Sequence, residues 1–380
     1  MKILLIGEYS RLHNSLKEGL QELGHRVTLV GTGDAFKNFA VDYNYEARWT
    51  ERPVFKYPNK IFSKLFGYNI YSLERGIRFY QMLHKLKNYD VVQFINETPI
   101  QTFAWLEKII LKKLIQHNKK TFLLSCGVDY VSVNFMKNGG FRYSLLDPYH
   151  QNPKLKSEYD YIYKYLKKPF VKLSEFLYAH INGVIASDFD YVLPLEGNPK
   201  FLGLIPNPIN TDKIQPITFE LDNKVVFFLG INRFTYLKKG IPFFEEALEI
   251  IKKRYPDRVE VVIAENLPYA QYINSYNRCH ILLDQIYSYD QGYNALEAMA
   301  KGKVVFTGAE KELLAHYNLK EDQVAINALP DTDYLVQKMA ELIENPNKLK
   351  EISKAAQLFI EKEHNYKQVA QKYLEIWKEN

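Results

Sequence analysis

A short stretch in the last third of the chain restricts the fold most. Asp284 and Gln285 have the character of a strand-end loop, Gly292 that of a turn, and a helix carrying Glu297 follows before the apolar strand 303–305. This order predicts a β-α-β unit. A glycine turn before a helix offers backbone N–H groups and a positive dipole end to an anion. With Glu297 placed to accept hydrogen bonds from hydroxyls beside that anion, the segment indicates a nucleotide site. An ordinary β-α-β unit with an exposed glutamate is the alternative.

A second unit of the same kind lies earlier in the chain. The apolar run 225–230 predicts a buried strand, and Pro242 begins a helix with core-facing residues at helical spacing. Arg233 and Lys239 therefore lie in a loop at the carboxyl end of a strand, where open α/β sheets bind ligands. A guanidinium and an ammonium suit a diphosphate whose charge grows on the leaving oxygen during sugar transfer. Lys238 is interpreted as a solvated loop charge.

In these residues the chain resembles the GT-B glycosyltransferases, specifically the retaining group that includes sucrose synthases and bacterial mannosyltransferases. The resemblance implies an α/β fold of two Rossmann-like, doubly wound domains facing each other across a cleft. Residues 1–210 would bind the acceptor, a helix at about 363–380 would cross back to them, and residues 211–362 would bind the donor. The matching residues follow one order along most of the chain: 184–187, 205–210, Gly230, Arg233, Lys239, Gly240, Gly292, 297–300 and 302–305.

The resemblance also implies roles for individual residues. Arg233 and Lys239 would hold the diphosphate of a UDP- or GDP-sugar and act in catalysis, and Glu297 would bind the ribose hydroxyls. Backbone N–H groups after Gly292 would approach the phosphate. No tightly bound cofactor is expected, because the nucleotide sugar is a substrate. The predicted donor-binding residues are Gly230, Asn232, Asp284, Gln285, Gly292, Tyr293, Asn294 and Glu297.

Two positions depart from the pattern of this group. Tyr289, followed by Asp290, replaces a second glutamate that faces the transferred sugar, although Asp284-Gln285 matches a branch of the group. In the amino-terminal half, Cys126 stands where a histidine is common. A catalytic contribution from that histidine is therefore not carried over to this chain.

Three residues of the amino-terminal half are candidates for acceptor chemistry. Asp129 follows a predicted strand and either bonds to a sugar hydroxyl, as a catalytic residue, or caps the next turn. Ser10 lies in a loop that lacks the G-x-G-x-x-G fingerprint and is left for an acceptor. His13 begins the first helix and either orients an acceptor group or is solvated. No histidine or cysteine spacing indicates a metal site, so metal independence is expected.

The charge is distributed unevenly along the 380 residues. Lys and Arg number 28 and Asp and Glu 19 in residues 1–200, against 22 and 25 in the remainder. The basic half predicts an anionic partner: a phosphorylated, lipid-linked or glycoconjugate acceptor, or the inner membrane surface. Lysines and aromatic residues interleave over 154–177, a mix that membranes or nucleic acids can bind. The helical spacing of Leu166, Phe170, Leu173 and Leu177 instead favours an amphipathic helix on the domain. No nucleic-acid module is recognisable, and no nucleic-acid partner is expected.

Length and composition fit this interpretation. The chain is longer than one typical core requires, which favours two domains. Cys126 and Cys279 give no disulfide framework, and no apolar run is long enough for a membrane span. A cytoplasmic location, with peripheral contact at the inner membrane face as an option, is expected.

The other predicted elements are strands at 2–7, 26–30, 91–94 and 121–124, helices at 13–23 and 366–377, and loops and helices over 33–88 on the acceptor side.

The sequence therefore predicts a glycosyltransferase that moves a sugar from a nucleotide-diphosphate sugar to an acceptor hydroxyl. Retention of configuration follows from the resemblance alone, and bacterial surface polysaccharide or glycoconjugate synthesis is the expected setting. Two alternatives stay open. One is a nucleotide-sugar epimerase of the same architecture, and the other is a catalytically silent binding or assembly subunit.

Overall fold

The chain folds into two compact units, each built on a parallel sheet. The computed structural model describes residues 1–33, 39–50, 52–55, 57–60, 62, 69–217, 224–265 and 269–380. The first unit comprises residues 1–140, 160–208 and 366–380, and the second comprises 141–159 and 209–365. The expectation for 33–88 lies partly outside the described residues.

Seven parallel strands form the sheet of the first unit, in the order β3-β2-β1-β4-β5-β6-β7. The strands are β1 (Lys2–Ile6), β2 (Arg26–Gly31), β3 (Tyr43–Asn44), β4 (Val91–Phe94), β5 (Lys120–Ser125), β6 (Gly183–Ala186) and β7 (Phe201–Leu204). The strands before β4 are added toward one edge of the sheet, and β4 and the later strands toward the other edge. The carboxyl ends of β1 and β4 therefore form the switch point where such sheets bind ligands.

Five parallel strands form the sheet of the second unit, in the order β12-β11-β10-β8-β9. They are β8 (Val225–Ile231), β9 (Val259–Glu265), β10 (Ile281–Leu283), β11 (Val304–Thr307) and β12 (Ile326–Asn327). Here the switch point lies between β8 and β10. The loops that follow these two strands carry Arg233, Lys239, Asp284 and Gly292.

Fifteen α-helices are resolved in the described part of the chain, with short 3-10 turns between some of them. The helices are α1 (Leu12–Glu22), α2 (Ile70–Met82), α3 (Ala104–His117), α4 (Tyr130–Lys137), α5 (Asp147–Gln151), α6 (Lys156–Tyr163), α7 (Lys168–His180), α8 (Phe189–Leu195), α9 (Ile241–Arg254), α10 (Tyr269–Arg278), α11 (Tyr293–Ala300), α12 (Lys311–Tyr317), α13 (Thr332–Glu344), α14 (Pro346–Glu363) and α15 (Tyr366–Glu379). The 3-10 turns are Pro53–Phe55, Leu83–Lys85, Pro153–Leu155, Lys164–Leu166 and Thr211–Lys213.

The strands are continuous apolar runs because a parallel sheet is covered on both faces. Ile3 to Ile6 are fully buried, and β8 has buried side chains in both core clusters of the second unit. The last helix, α15, packs on α1 within the first unit. Gly19 permits this contact, since a Cβ there would lie 2.3 Å from the carbonyl oxygen of Tyr366.

One segment groups differently from the sequence expectation. Residues 141–159 were expected in the amino-terminal domain, but they pack with the second unit. Arg142 explains this grouping, because its guanidinium pairs with Glu310 and Glu312 of that unit. In the described part of the chain, no helix has both the length and the apolarity to cross a membrane.

Candidate active site

Two loops meet at the switch point of the second sheet and bring Lys239 to Asp284. The amide of Ile286 donates a hydrogen bond to the carbonyl of Lys239 at 2.9 Å, and the Lys239 ammonium pairs with Asp284 Oδ1 at 2.9 Å. Gly240 permits this approach: its φ is +69°, and a Cβ would lie 2.8 Å from Cβ of Ile286. Only glycine accommodates both conditions readily.

The Asp284 carboxylate is buried and only partly satisfied. Its Oδ1 accepts hydrogen bonds from Lys239 Nζ and, at 3.1 Å, from Asn294 Nδ2. Its Oδ2 is buried and has no hydrogen-bond partner in the described structure. A buried carboxylate oxygen without a donor is costly. It therefore marks a position that a hydroxyl of a ligand can fill.

The helix α11 begins directly beside this carboxylate. Gly292 precedes it, and a Cβ on Gly292 would lie 3.4 Å from Gln285 Nε2 and 3.6 Å from Asp284 Oδ2. The helix has no side-chain cap and no acidic residue in its first turn. Its N-terminus thus keeps the positive end of the dipole beside Lys239, which favours an anion. Tyr293 and Asn294 open the helix, and half-buried Glu297 lies one turn further along.

Arg233 lies in the same β8–α9 loop as Lys239 but contacts a different carboxylate. Its Nε and Nη2 bond to Glu265 at 2.6 and 2.5 Å, and its side chain is 58% exposed. The pair lowers the pKa of Glu265 through these hydrogen bonds. Asn232 shapes the loop, because its Oδ1 accepts from the amide of Phe234. Gly230 is the sixth residue of β8.

The structure brings Lys239, Asp284, Gln285, Gly292 and Asn294 together, whereas the Arg233 guanidinium is held by Glu265.

The expectation for Lys238 was wrong. This lysine is buried rather than solvated, with Nζ 5.1 Å from the ring centroid of Tyr159 and 5.0 Å from that of Phe234. Burial lowers its pKa. Lys238 attaches the segment 141–159 to the β8–α9 loop, a contact with no local sequence signal.

Tyr289, the residue at the position of the second glutamate, is buried under that segment. Its hydroxyl accepts a hydrogen bond from the amide of Arg142 at 2.5 Å, and the rings of Phe141 and Tyr143 lie 4.8 and 5.4 Å from its ring. Burial raises its pKa. Burial alone would also raise the pKa of Glu310, but hydrogen bonds from Asn327, Tyr143 and Arg142 lower it overall. Tyr289 is thus an anchor for residues 141–143.

The two amino-terminal candidates with buried side chains serve the fold. Asp129 is the N-cap of α4: its Oδ1 accepts from the amide of Ser132 at 2.7 Å and its Oδ2 from Ser125 Oγ at 3.2 Å. Of its two predicted roles, the structure has the capping role, and a substrate contact remains a prediction. Burial raises its pKa.

His13 requires a correction. It is fully buried, with Nδ1 2.7 Å from the carbonyl of Gly7 and Nε2 3.2 Å from Gln93 Nε2. Because both ring nitrogens are engaged inside the unit, His13 is neither solvated nor placed to orient an acceptor. Burial lowers its pKa to about 4, so the neutral ring is the stable form at pH 7.

The loops at the first switch point carry the predicted residue Ser10 and, beside it, polar residues that the sequence did not single out: Tyr9, Asn96, Glu97 and Gln101. Ser10, with φ at +50°, is half-buried in the loop after β1. Tyr9 in the same loop accepts hydrogen bonds from Asn96 and Gln101, which follow β4. Glu97 is buried next to them, and burial, with Asp129 second, raises its pKa. Half-buried Cys126 has its pKa raised by burial, so it is not an activated thiolate. These residues are recognised as neighbours at the switch point only from the order of the strands in the sheet.

Among the described residues, no three His, Cys, Asp or Glu side chains are grouped to hold a metal ion.

Comparison with known proteins agrees with this geometry. A family model described as glycosyl transferase-like matches residues 237–375, a range that includes the Lys239, Asp284 and α11 positions. No curated protein matches the chain. The matched domain is glycosyl transferase-like and the fold is GT-B, in agreement with the sequence resemblance.

Solved structures show the same fold over the full chain. Sucrose-phosphate synthase from Thermosynechococcus elongatus has a TM-score of 0.62 at 13% identity, covering 100% of this chain and 99% of that chain. HepE from Anabaena, in complex with UDP and glucose, has a TM-score of 0.60 at 12% identity, with both chains covered 100%. UDP-GlcNAc 2-epimerase from Neisseria meningitidis, bound to UDP-GlcNAc, has a TM-score of 0.52 at 14% identity, again with 100% of both chains covered. At these identities the likeness establishes the fold alone.

Proposed function

We propose that the protein transfers a sugar from a nucleotide-diphosphate sugar to an acceptor hydroxyl. The observation that carries the proposal is the arrangement at the second switch point: the Lys239 ammonium, the uncapped N-terminus of α11 and a buried carboxylate with one unsatisfied oxygen. An anion site beside a hydroxyl acceptor suits a diphosphate joined to a sugar. The structural likeness to HepE, which is in complex with UDP and glucose, supports a uridine nucleotide.

Each group has a defined part in this proposal. Lys239 and the α11 N–H groups stabilise the charge that develops on the departing diphosphate. Asp284 Oδ2 accepts a hydrogen bond from a hydroxyl of the donor, and Glu297 binds the ribose. Arg233 joins the diphosphate when its guanidinium leaves Glu265. This charge stabilisation comes from the chain itself, in keeping with a metal-independent reaction.

The acceptor half of the proposal rests on the first switch point. Tyr9, Asn96 and Gln101 form a hydrogen-bonded polar edge there, suited to hydroxyl groups of a sugar, a lipid-linked sugar or a glycoconjugate. Retention of configuration and a role in bacterial surface polysaccharide synthesis rest on the sequence resemblance. The cytoplasmic location remains a prediction of the sequence.

A nucleotide-sugar epimerase is the second candidate, because a solved UDP-GlcNAc 2-epimerase, bound to UDP-GlcNAc, has the same fold. Tyr289, in place of a sugar-facing glutamate, also distinguishes this chain from the expected transferase pattern.

A thermal-shift panel of UDP- and GDP-sugars identifies the donor, and incubation with that donor alone then separates the two candidates. Slow release of nucleotide, accelerated by an added acceptor, is expected for a transferase. Interconversion of the sugar without nucleotide release would establish the epimerase instead.

A further inference from the structure

Helices α2 and α3 of the first unit expose large apolar side chains on their outer faces. Ile77 and Tyr80 on α2 are 47% and 44% exposed, and Trp105 and Ile109 on α3 are 58% and 42% exposed. We name these residues, together with the exposed lysines of α3, the α2–α3 surface. Neighbouring apolar side chains of this size in water usually mark an interaction site.

Close packing beneath the surface fixes the orientation of the two helices. Gly76 of α2 meets α3, since a Cβ there would lie 2.3 Å from Thr102 Oγ1 and 2.4 Å from Leu106 Cδ2. The inner face of α3 is buried. Trp105, Lys108, Ile109 and Lys112 then follow at helical spacing along its outer face. The apolar side chains therefore cannot turn inward without breaking the core.

The charge on the outer face of α3 has one sign. The single acidic residue of this helix, Glu107, is fully buried and accepts hydrogen bonds from the amides of Ile100 and Thr102. Lys108 and Lys112 are exposed, and Lys113 extends its ammonium to 5.7 Å from the ring centroid of Tyr80. The outer face of α3 thus combines apolar side chains with cations alone.

A turn at the amino-terminal end of α2 adds a second exposed tryptophan. Glu74 of α2 accepts hydrogen bonds from the amides of Arg48, Trp49 and Thr50. This carboxylate holds the turn, and Arg78 of the same helix lies 3.9 Å from it as a counter-charge. The Trp49 side chain is 61% exposed, with the Arg52 guanidinium 4.7 Å from its ring centroid.

We propose that the α2–α3 surface, with the Trp49 turn, binds the surface of an anionic lipid bilayer. Indole and phenol rings suit the boundary between headgroups and acyl chains, and lysines suit anionic headgroups. Anionic headgroups bind lysines without counter-charges at fixed positions. The lysines on the outer face of α3 provide cations for the phosphate groups of such headgroups. The proposal rests on this geometry and is independent of sugar transfer.

The lysine-rich segment 154–177 is a poorer candidate for such contact. Its aromatic and aliphatic residues Tyr159, Ile162, Phe170, Leu173 and Leu177 are buried in the structure. The amphipathic helix favoured by the sequence is therefore present as α7, with its apolar face inside the unit. Membrane contact, if located by exposed apolar residues, belongs to α2 and α3 instead.

Tryptophan fluorescence tests the proposal directly on the full chain. Of the three tryptophans, Trp49 and Trp105 are exposed and Trp377 is fully buried. With vesicles of phosphatidylcholine and phosphatidylglycerol, we expect a blue shift and quenching by brominated acyl chains. Vesicles of phosphatidylcholine alone should give a much smaller signal. Absence of any signal with the anionic vesicles overturns the proposal.

Variants then locate the contact. In vesicle co-sedimentation, Ile109→Glu and the pair Lys108→Glu with Lys112→Glu should each reduce binding by about tenfold or more. Leu358→Glu is the matched control, because Leu358 on α14 of the second unit is 63% exposed. All these positions are at the surface, so circular dichroism should be unchanged.

Two further outcomes decide against the proposal. An equal loss of binding in the Leu358→Glu variant would place the contact elsewhere. A concentration-dependent dimer in sedimentation velocity, abolished by Ile109→Glu in a protein that ignores vesicles, would identify the surface as an interface between copies of this chain.

Discussion

The Lys239–Asp284 pair has to be separated into a structural and a functional part. Asp284 is buried and Lys239 supplies its counter-charge, so removing the lysine alone leaves an uncompensated carboxylate. Removing one partner of a fully buried ion pair lowers the free energy of unfolding by roughly 3–5 kcal/mol. The cost here should be smaller, because the Lys239 side chain is 33% exposed. Loss of activity in a single variant is therefore ambiguous.

A double variant resolves this ambiguity. We expect Lys239→Met to lower both the thermal midpoint and the rate of nucleotide release, the rate by about a hundredfold or more. Adding Asp284→Asn should restore the midpoint without restoring the rate. Recovery of turnover in the double variant would reduce Lys239 to a counter-ion for Asp284. Lys252→Met, on the exposed side of α9, is the control.

Glu265 competes with a diphosphate for the Arg233 guanidinium. The pair is exposed to solvent, which screens its charges, so the carboxylate holds the guanidinium only weakly. Glu265→Gln should therefore tighten UDP binding about two- to fivefold in a calorimetric titration, whereas Glu249→Gln should not. Weaker binding in the Glu265 variant would mean that Arg233 needs this carboxylate to be positioned.

His13 makes stability depend on pH. Its folded-state pKa of about 4 lies below the ordinary value, so its contribution is fully present above about pH 6.5 and is lost as the pH falls toward 4. The loss amounts to about 3 kcal/mol at pH 4. Urea unfolding at pH 7 and 4.5 should show a steeper decline for the natural chain than for His13→Gln. Equal declines would contradict burial of a neutral ring.

Among the secondary-structure elements, the strands β1, β2, β4, β5, β8 and β11 and the β8–α9 and β10–α11 loops were predicted from the sequence. Parallel strands covered on both faces give uninterrupted apolar runs, and Gly292 and Pro242 mark helix starts without tertiary information. The predicted strand 91–94 has the observed bounds, and the other predicted ends differ by a residue or two. The glycosyltransferase class and the GT-B fold, implied by resemblance, are confirmed by the matched domain and the fold.

The segment 141–159 was not accessible, because its grouping depends on contacts between residues far apart in the chain. Arg142 pairs with Glu310, and Tyr289 packs against Phe141, across separations that no periodicity reports. The burial of His13 and Lys238 was missed for the same reason. Polar side chains carry no pattern that distinguishes a buried partner from water.

Gly240 tests the geometry of the joined loops. Gly240→Ala adds a Cβ at 2.8 Å from Ile286 in a left-handed backbone, so the Lys239 and Asp284 loops must separate. UDP affinity should fall at least tenfold, by analogy with losing one charge contact. Gly197→Ala is the control: its φ is +79°, but a Cβ there meets nothing within 4 Å. An unchanged affinity in the Gly240 variant would argue against coupling of the two loops.

In the molecule as a whole, the two units differ in the polar and charged groups that they present. The second unit carries the proposed anion site at its switch point, and the first carries a polar edge and a basic, apolar outer surface. Sequence composition already located the excess of positive charge in residues 1–200. It did not locate the α2–α3 surface, because exposure is a property of the folded helices.

Calorimetric titration of the full chain with UDP, and with GDP in parallel, is the most direct test of a diphosphate site at Lys239. We expect one nucleotide per chain, bound at least tenfold more weakly by the Lys239→Met/Asp284→Asn variant and with unchanged affinity by Lys252→Met. No detectable binding of either nucleotide, or equal affinity in the double variant, would contradict a diphosphate site at Lys239 and the N-terminus of α11.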